Sequence, residues 1–103
     1  MFIVLFITTK DIDEAQKIAK HLVEQKLAAC VNIVNGVKSI FGWEGKIEKS
    51  EEALMIVKSQ KRLLPEIIKS VKSLHSYTVP EVIALPILDG NEDYLKWLKD
   101  STV

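Results

Sequence analysis

Apolar residues along the chain form four extended segments. Phe2 to Ile7 is an apolar run without alternation, which is typical of a strand buried on both faces. Leu27 to Val34 is the next segment, and Val79 to Leu88 is the last. Between them, Ser39 to Ser59 has a first arm of scattered apolar and glycine residues and a second arm that is almost continuously apolar. This stretch predicts a long β-hairpin.

The turn of the predicted hairpin has two candidate positions. We favour Glu48 to Ser50, because a turn at Gly42 to Gly45 would leave Ile47 on an unpaired tail. The glycine-rich position remains the alternative, since glycines mark a turn as readily as a bulge. Asn35-Gly36 raises a similar question earlier in the chain, where it predicts either a turn or a kink between two strand segments.

Helical periodicity appears in three places. Asp11 is placed to cap the first helix, with Glu14 positioned to complete a capping box. The second helix should begin around Arg62, because Pro65 is tolerated only in a first turn. Asn91 should cap a short last helix. The buried stripe expected for the first helix is Ala15, Ile18, Ala19, Leu22 and Val23.

The order of these elements is β-α-β-β-α-β followed by a C-terminal helix. This is the split βαβ pattern of an α+β, ferredoxin-like fold, and residues 1–103 form a single domain of ordinary size. Pro80 and Pro86 cannot donate hydrogen bonds within a sheet, so the last strand should lie at an edge.

Both faces of the first and last strands are apolar. Val4 and Phe6 alternate with apolar neighbours in the first strand, as do Val82 and Ala84 in the last. Helices cover only one face of such a sheet, and an exposed second face of this composition would be a large adhesive patch. We therefore expect an obligate homo-oligomer.

Charge and cysteine content exclude several classes of partner. The net charge is zero, from 14 basic and 14 acidic residues, so the chain has no electrostatic basis for binding nucleic acid or an anionic membrane. A single cysteine, Cys30, excludes an intrachain disulfide and fits a reducing compartment. The apolar start is too short for a signal peptide core or a membrane span. These features predict a cytoplasmic protein without membrane insertion.

Metal ligation is the first chemistry to consider, although the spacing gives it little support. No pair of histidines or cysteines has the spacing of a zinc or copper motif. Cys30 lies among small apolar residues, where a buried structural role is the simpler interpretation. His75 closes a helix before a polar loop, and there it also suits the helix dipole.

A second set of polar and aromatic residues is compatible with a small-molecule cleft. Aromatic rings beside mixed charges are typical of such sites, but a solvated hairpin edge is an equally good interpretation. The set is Trp43, Glu44, Lys46, Lys58, Tyr77 and Glu81.

Catalytic motifs are missing from the sequence. No serine or threonine stands in a nucleophile elbow, and the four glycines fit neither a dinucleotide fingerprint nor a phosphate loop. The aromatic and basic signature of an RNA-recognition motif is replaced by Ala53 to Val57. We therefore expect a protein that is not an enzyme.

Four motifs in order along the chain carry a family resemblance. They are Leu27-Ala28-Ala29-Cys30-Val31-Asn32, Trp43-Glu44-Gly45-Lys46-Ile47, Leu74-His75-Ser76-Tyr77-Thr78-Val79-Pro80-Glu81 and Tyr94-Leu95-Lys96-Trp97-Leu98. Together they resemble the CutA family of divalent-cation tolerance proteins from end to end.

The resemblance implies a homotrimer similar in architecture to PII signalling proteins, with long hairpins that reach neighbouring subunits. It also implies tolerance to divalent metals, copper above all, without an obligatory cofactor. Residues around the intersubunit cleft of the family correspond to Cys30, Trp43, Lys46, Lys58, His75, Tyr77 and Glu81. Two departures stand out: Ser76 replaces a common proline, and the end of the first strand lacks a cysteine that some members carry.

Two functions are therefore expected. The leading hypothesis is a trimer that binds Cu(II) or another divalent ion through His75, Cys30 and Glu81, since imidazole and carboxylate ligands suit copper. The alternative is a PII-like signalling or adaptor trimer with a small anion or metabolite in the intersubunit cleft. Trp43, Lys46, Lys58, Tyr77 and Glu81 would line that site.

Overall fold

The computed structural model describes every residue from Met1 to Val103 and contains the predicted elements in the predicted order. The sheet is antiparallel throughout, with strand order β2-β3-β1-β4, so that β3 lies between β1 and β2 in the split βαβ arrangement. The elements are β1 (Phe2–Thr9), α1 (Ile12–Glu24), β2 (Cys30–Trp43), β3 (Lys46–Gln60), a 3-10 turn (Lys61–Leu63), α2 (Leu64–Leu74), β4 (Val82–Pro86) and α3 (Glu92–Asp100).

Helix starts follow the capping chemistry of the sequence. The Asp11 carboxylate accepts the Glu14 N–H at 2.9 Å, as predicted. Glu14 does not complete the box at Asp11, because its carboxylate accepts the Lys10 N–H at 3.3 Å and turns towards the loop after α2. Pro65 lies in the first turn of α2, and the Asn91 side chain caps α3.

The hairpin turn lies at Glu44–Gly45, so the favoured position at Glu48 to Ser50 is wrong. Glu44 has φ 50° and Gly45 has φ 77°, and two successive positive values define the tight turn that matches the twist of paired strands. Ile47 is not on a tail, because it pairs with Gly42 across the hairpin.

The strand β2 is continuous, and the Asn35-Gly36 pair is a kink within it. The register with β3 shifts between Val34 and Val37, and Gly36 has φ 73°, which identifies a β-bulge. The predicted second strand and the first hairpin arm are therefore two halves of one strand.

The core lies between one face of the sheet and the helices α1 and α2. Alternate residues of β1 and β3 point into it, and these inward residues include Ile3, Leu5, Ile7, Met55 and Val57. Ile18 and Leu22 of α1 and Ile67 of α2 cover them. Val23, which the helical pattern placed in the buried stripe, is 43% exposed at the margin of that stripe.

The opposite face of the sheet is apolar and uncovered over much of its area within one chain, as the sequence predicted. Val4 and Phe6 of β1 are half-buried there, and Ile83 of the edge strand β4 is 51% exposed. We call this surface, formed by Val4, Phe6, Val34, Leu54, Ile56, Ile83 and Leu85, the open face.

The hairpin extends beyond the rest of the sheet. β1 pairs with β3 only over Ala53–Gln60, so the part of the hairpin from residue 37 to residue 52 has no third strand. The molecule is accordingly elongated, with extents of 45 × 25 × 22 Å. Ile40 and Ile47 on this extension are 70% and 79% exposed.

Candidate functional site

An open groove of about 810 Å³ lies where the hairpin extension meets the loop after α2. Trp43, Tyr77 and Glu81 of the predicted cleft set line it. The complete lining is Thr8, Ser39, Ile40, Phe41, Trp43, Glu48, Lys49, Ser50, Glu52, Tyr77, Thr78, Val79 and Glu81. Strand pairing places Ser39, Phe41, Trp43, Glu48 and Ser50 on one face of the hairpin.

The two lysines of the predicted cleft set lie outside the groove. Lys46 pairs with Trp43 at the hairpin tip but does not line the cavity. Lys58 lies near the far end of β3, where its ammonium hydrogen-bonds the Asn32 side chain. In a single chain, Lys49 is therefore the one cationic side chain in the groove lining, and neither lysine predicted for the anion site reaches it.

Cys30 belongs to the Lys58 end of the open face. It pairs with Lys58 across β2 and β3, and its thiol lies 3.9 Å from Asn32 Oδ1. Tyr94 of α3 packs beside it, and burial together with the neighbouring Cys30 raises the pKa of Tyr94. Lys58 in turn pairs with Val4 of β1, four residues from the groove residue Thr8, or about 13 Å along a strand. Cys30 and the groove are therefore separate sites within one chain.

His75 is buried and uses both ring nitrogens within the protein. Its side chain is fully enclosed. Nε2 lies 2.7 Å from the Thr8 carbonyl, which can only accept, so Nε2 carries the proton. Nδ1 accepts the Tyr77 N–H at 3.0 Å. The predicted role of His75 as a metal ligand does not fit this geometry, because no nitrogen lone pair is free.

The position of His75 instead fixes the loop that carries Tyr77 into the groove. The Tyr77 hydroxyl donates to Glu52 Oε2 at 2.8 Å. Burial, followed by the hydrogen bond to Glu52 and the negative charge of that carboxylate, raises the pKa of Tyr77 to about 12. Tyr77 is therefore a neutral hydrogen-bond donor at physiological pH.

Glu14 secures the same loop from the first turn of α1. Its carboxylate accepts the Ser76 N–H at 2.9 Å and the Ser76 hydroxyl at 3.1 Å, besides the Lys10 N–H. Burial alone would raise the pKa of Glu14, but the hydrogen bonds from Ser76 and Lys10 outweigh it and hold the pKa below its ordinary value of 4.5. A proline in place of Ser76 would make the loop more rigid, but it would have no N–H to donate to Glu14.

Two residues of this arrangement were missed in the sequence. In the sequence, Glu14 is recognisable only as a helix-capping residue, and no motif marks Glu52. Glu52 directly precedes the apolar run from Ala53 to Val57, and a carboxylate at the start of a buried strand was the available signal.

The metal ligands predicted from the sequence are not brought together in one chain. Glu81 is exposed in the groove, His75 is buried behind it, and Cys30 lies at the other end of the sheet. No group of three or more His, Cys, Asp or Glu residues within the chain is arranged to hold a metal ion.

Comparison with known proteins assigns the family. A family model described as CutA1 divalent ion tolerance protein matches residues 3–101. The chain belongs to this family. The resemblance seen in the four motifs is thereby confirmed.

Relatives within the CutA1 family match along the whole chain. The divalent-cation tolerance protein CutA of Thermus thermophilus is 48% identical over 99 residues, covering 96% of each chain. A solved Thermus thermophilus structure of the same name superposes with a TM-score of 0.98 and covers both chains completely. A CutA1 structure from Oryza sativa gives a TM-score of 0.97 at 46% identity, covering 99% of this chain and 94% of that one.

Family members from plants and animals are longer. Human protein CutA is 45% identical over 97 residues, which are 94% of this chain but 54% of the human protein. The chain thus spans about half the length of such relatives.

The location of the relatives varies by name. The relative from Arabidopsis thaliana is named a chloroplastic protein, and a solved structure from Archaeoglobus fulgidus is described as that of a periplasmic protein. The cytoplasmic location stays a prediction, and none of the helices is long and apolar enough to cross a membrane.

Proposed function

We propose that the chain acts in tolerance to divalent cations as a cytoplasmic, non-catalytic homotrimer without an obligatory cofactor. The observation that carries this proposal is the match to divalent-cation tolerance proteins over residues 3–101, with near-complete coverage of the bacterial relative. The assembly and the bound ion rest on the physical arguments that follow.

Self-association is supported by two surfaces that a single chain leaves uncovered. The open face presents apolar side chains from all four strands. The hairpin extension carries exposed isoleucines well away from its own core, at Ile40 and Ile47. Covering either surface with a second copy stabilises the assembly by about 25 cal/mol for each Å² of apolar area removed from water. The long hairpin then has a reason for its length, which is to reach a neighbouring subunit.

Metal binding in this proposal draws ligands from more than one subunit. One chain has no three-residue ligand group, whereas a trimer repeats each carboxylate around its axis. Glu81 is the member of the predicted ligand set that is exposed in the groove. Copper(II) is the expected first choice, because the Irving–Williams order places it above its divalent competitors.

Calorimetric titration of the tag-free protein with copper(II) tests the metal site. We expect binding that weakens about tenfold in Glu81→Gln, since one charged ligand is lost from each subunit. The matched control is Glu51→Gln. It also removes one carboxylate charge, but from the face of the hairpin that points away from the groove. His75→Gln should retain the affinity, and Cys30→Ser tests the separate thiol. The proposed ligands would be contradicted if the titration showed no heat of copper(II) binding. They would also be contradicted if only His75→Gln lowered the affinity.

A second candidate function has one observation in its favour. The groove volume of about 810 Å³ is far larger than a bare ion needs and falls within the range of small-molecule sites, about 300–1,000 Å³. A trimer that binds a metabolite there and signals it to a partner protein would use this space. The two candidates differ in which ligands raise the melting temperature, metals or organic molecules.

A further inference from the structure

The Asn35-Gly36 pair lies at the bulge of β2, outside both the core and the groove. Neither residue has a cross-strand partner, because the register of β2 with β3 shifts between Val34 and Val37. The ladder of hydrogen bonds is interrupted at such a bulge. The backbone of this pair is therefore less constrained than the paired residues on either side of it.

An asparagine followed by glycine loses its side-chain amide without an enzyme. The backbone nitrogen of the glycine attacks the side-chain carbonyl carbon, and the new C–N bond closes a cyclic succinimide. The bond to the amide nitrogen breaks, and that nitrogen leaves as ammonia with the proton of the attacking N–H. Water then opens the ring at either carbonyl and gives aspartate or isoaspartate. No electrons are exchanged, and water is the only co-reactant.

Gly36 offers little steric resistance to this attack. It has no side chain, and its φ of 73° lies in the region that glycine adopts without strain. Apart from its chain neighbours, the only heavy atom within 4 Å of the place where a Cβ would lie is Glu51 Oε1, at 3.9 Å. The space beside the Gly36 backbone is therefore open to the side chain of Asn35.

The other two asparagines of the chain are held by contacts of their own. The Asn32 side chain accepts a hydrogen bond from Lys58, and the Asn91 side chain caps α3. Each is followed by a residue whose side chain hinders attack by the backbone nitrogen, Ile33 in one case and Glu92 in the other. Both asparagines therefore serve as references within the same molecule.

We propose that Asn35 is a site of spontaneous deamidation in the folded protein, through a succinimide formed with Gly36. The product carries one more negative charge than the unmodified chain, whose net charge is zero, and this charge arises close to Glu51. The isoaspartate form also adds one carbon to the main chain of β2. The reaction is intramolecular, so it depends neither on an assembly interface nor on a metal or ligand in the groove.

Peptide mapping by mass spectrometry tests this proposal. The tag-free protein is incubated at mildly alkaline pH in water enriched in oxygen-18, so that conversion during the incubation is marked by the heavy isotope. Circular dichroism verifies that the protein stays folded, and a parallel sample in urea gives the unfolded reference. Electron-transfer fragmentation distinguishes isoaspartate from aspartate. Asn35→Gln is the control variant, because it keeps an amide but would have to close a larger ring.

We expect the folded protein to convert Asn35 at least about tenfold faster than Asn32 or Asn91, with isoaspartate among the products. In Asn35→Gln, the same peptide should keep its amide. The comparison among the three asparagines needs no variant, so it is valid even if the glutamine disturbs the bulge. Equal rates at the three positions, or conversion of Asn35 only in urea, would overturn the proposal.

Discussion

Replacement of Ile83 by lysine should convert the proposed homotrimer to monomers. Ile83 lies on the edge strand β4, is 51% exposed in a single chain and pairs with Phe6 on the open face. A lysine there costs one chain little, because its ammonium group remains in water. In an assembly that covers the open face, the same ammonium would be buried without a partner, at a cost of about 3–5 kcal/mol per site.

Sedimentation velocity at micromolar concentration measures this effect. The mass obtained for the unmodified protein should be three times the 11.6 kDa of one chain, and the mass obtained for Ile83→Lys should be close to that of one chain. Val23→Lys is the control, because Val23 is a comparably exposed apolar residue on α1, away from the open face. A trimer that survives Ile83→Lys, or dissociates equally in Val23→Lys, would show that the open face is not the interface.

Replacement of Glu14 by alanine should destabilise the fold by about 2–4 kcal/mol, because it leaves the hydrogen-bond donors of Ser76 and Lys10 without their acceptor. The loop from His75 to Tyr77 loses its attachment to α1, so the groove should loosen as well. Urea denaturation measures the change in the free energy of unfolding. Glu24→Ala, on the exposed end of the same helix, should change it by less than about 0.5 kcal/mol.

The contribution of Glu14 to the free energy of unfolding should decrease as the pH falls. The pKa of Glu14 is lowered in the folded protein from its ordinary value of 4.5, so its ionised form contributes stability above that pH. This contribution is lost as the pH falls through the lowered pKa. The difference between the unmodified protein and Glu14→Ala should therefore narrow under acidic conditions. A difference that grows as the pH falls would contradict the assigned hydrogen bonds.

The fold was predictable from the sequence because its signals are local and consistent. Capping by Asp11 and Asn91 and the position of Pro65 set the helix starts, and Pro86 at the end of β4 agrees with the place of that strand at the sheet edge. The apolar character of both faces of β1 followed directly from its composition. These features depend on side-chain chemistry within a few residues along the chain.

The hairpin turn was less predictable because its geometry contradicts ordinary residue preference. Glu44 adopts φ 50°, which a glutamate rarely does, and only Gly45 beside it signals such a turn. The apolar pattern alone therefore places the start of the second arm too late in the chain. Pairing over the whole length of β2 and β3, including the kink at Gly36, supplies the stability that outweighs the local cost.

The sequence predicted some residues of the candidate site but not their roles. Trp43, Tyr77 and Glu81 meet in the groove as expected. His75 supports the loop because the Thr8 carbonyl and the Tyr77 N–H occupy its nitrogens, and Thr8 comes from a distant part of the chain. Lys58 lies elsewhere for a similar reason, since the strand register places it opposite Cys30. Contacts between remote segments were therefore the missing information.

Growth of an expression host at increasing concentrations of copper(II) tests the central claim most directly. A host that lacks its own member of the family would express the unmodified chain, the Ile83→Lys variant or an empty vector, with protein amounts matched by immunoblot. We predict that the unmodified chain extends growth to higher copper concentrations and that Ile83→Lys does not, because tolerance requires the assembled protein. Growth with the unmodified chain that equals growth with the empty vector would contradict the proposed role in divalent-cation tolerance.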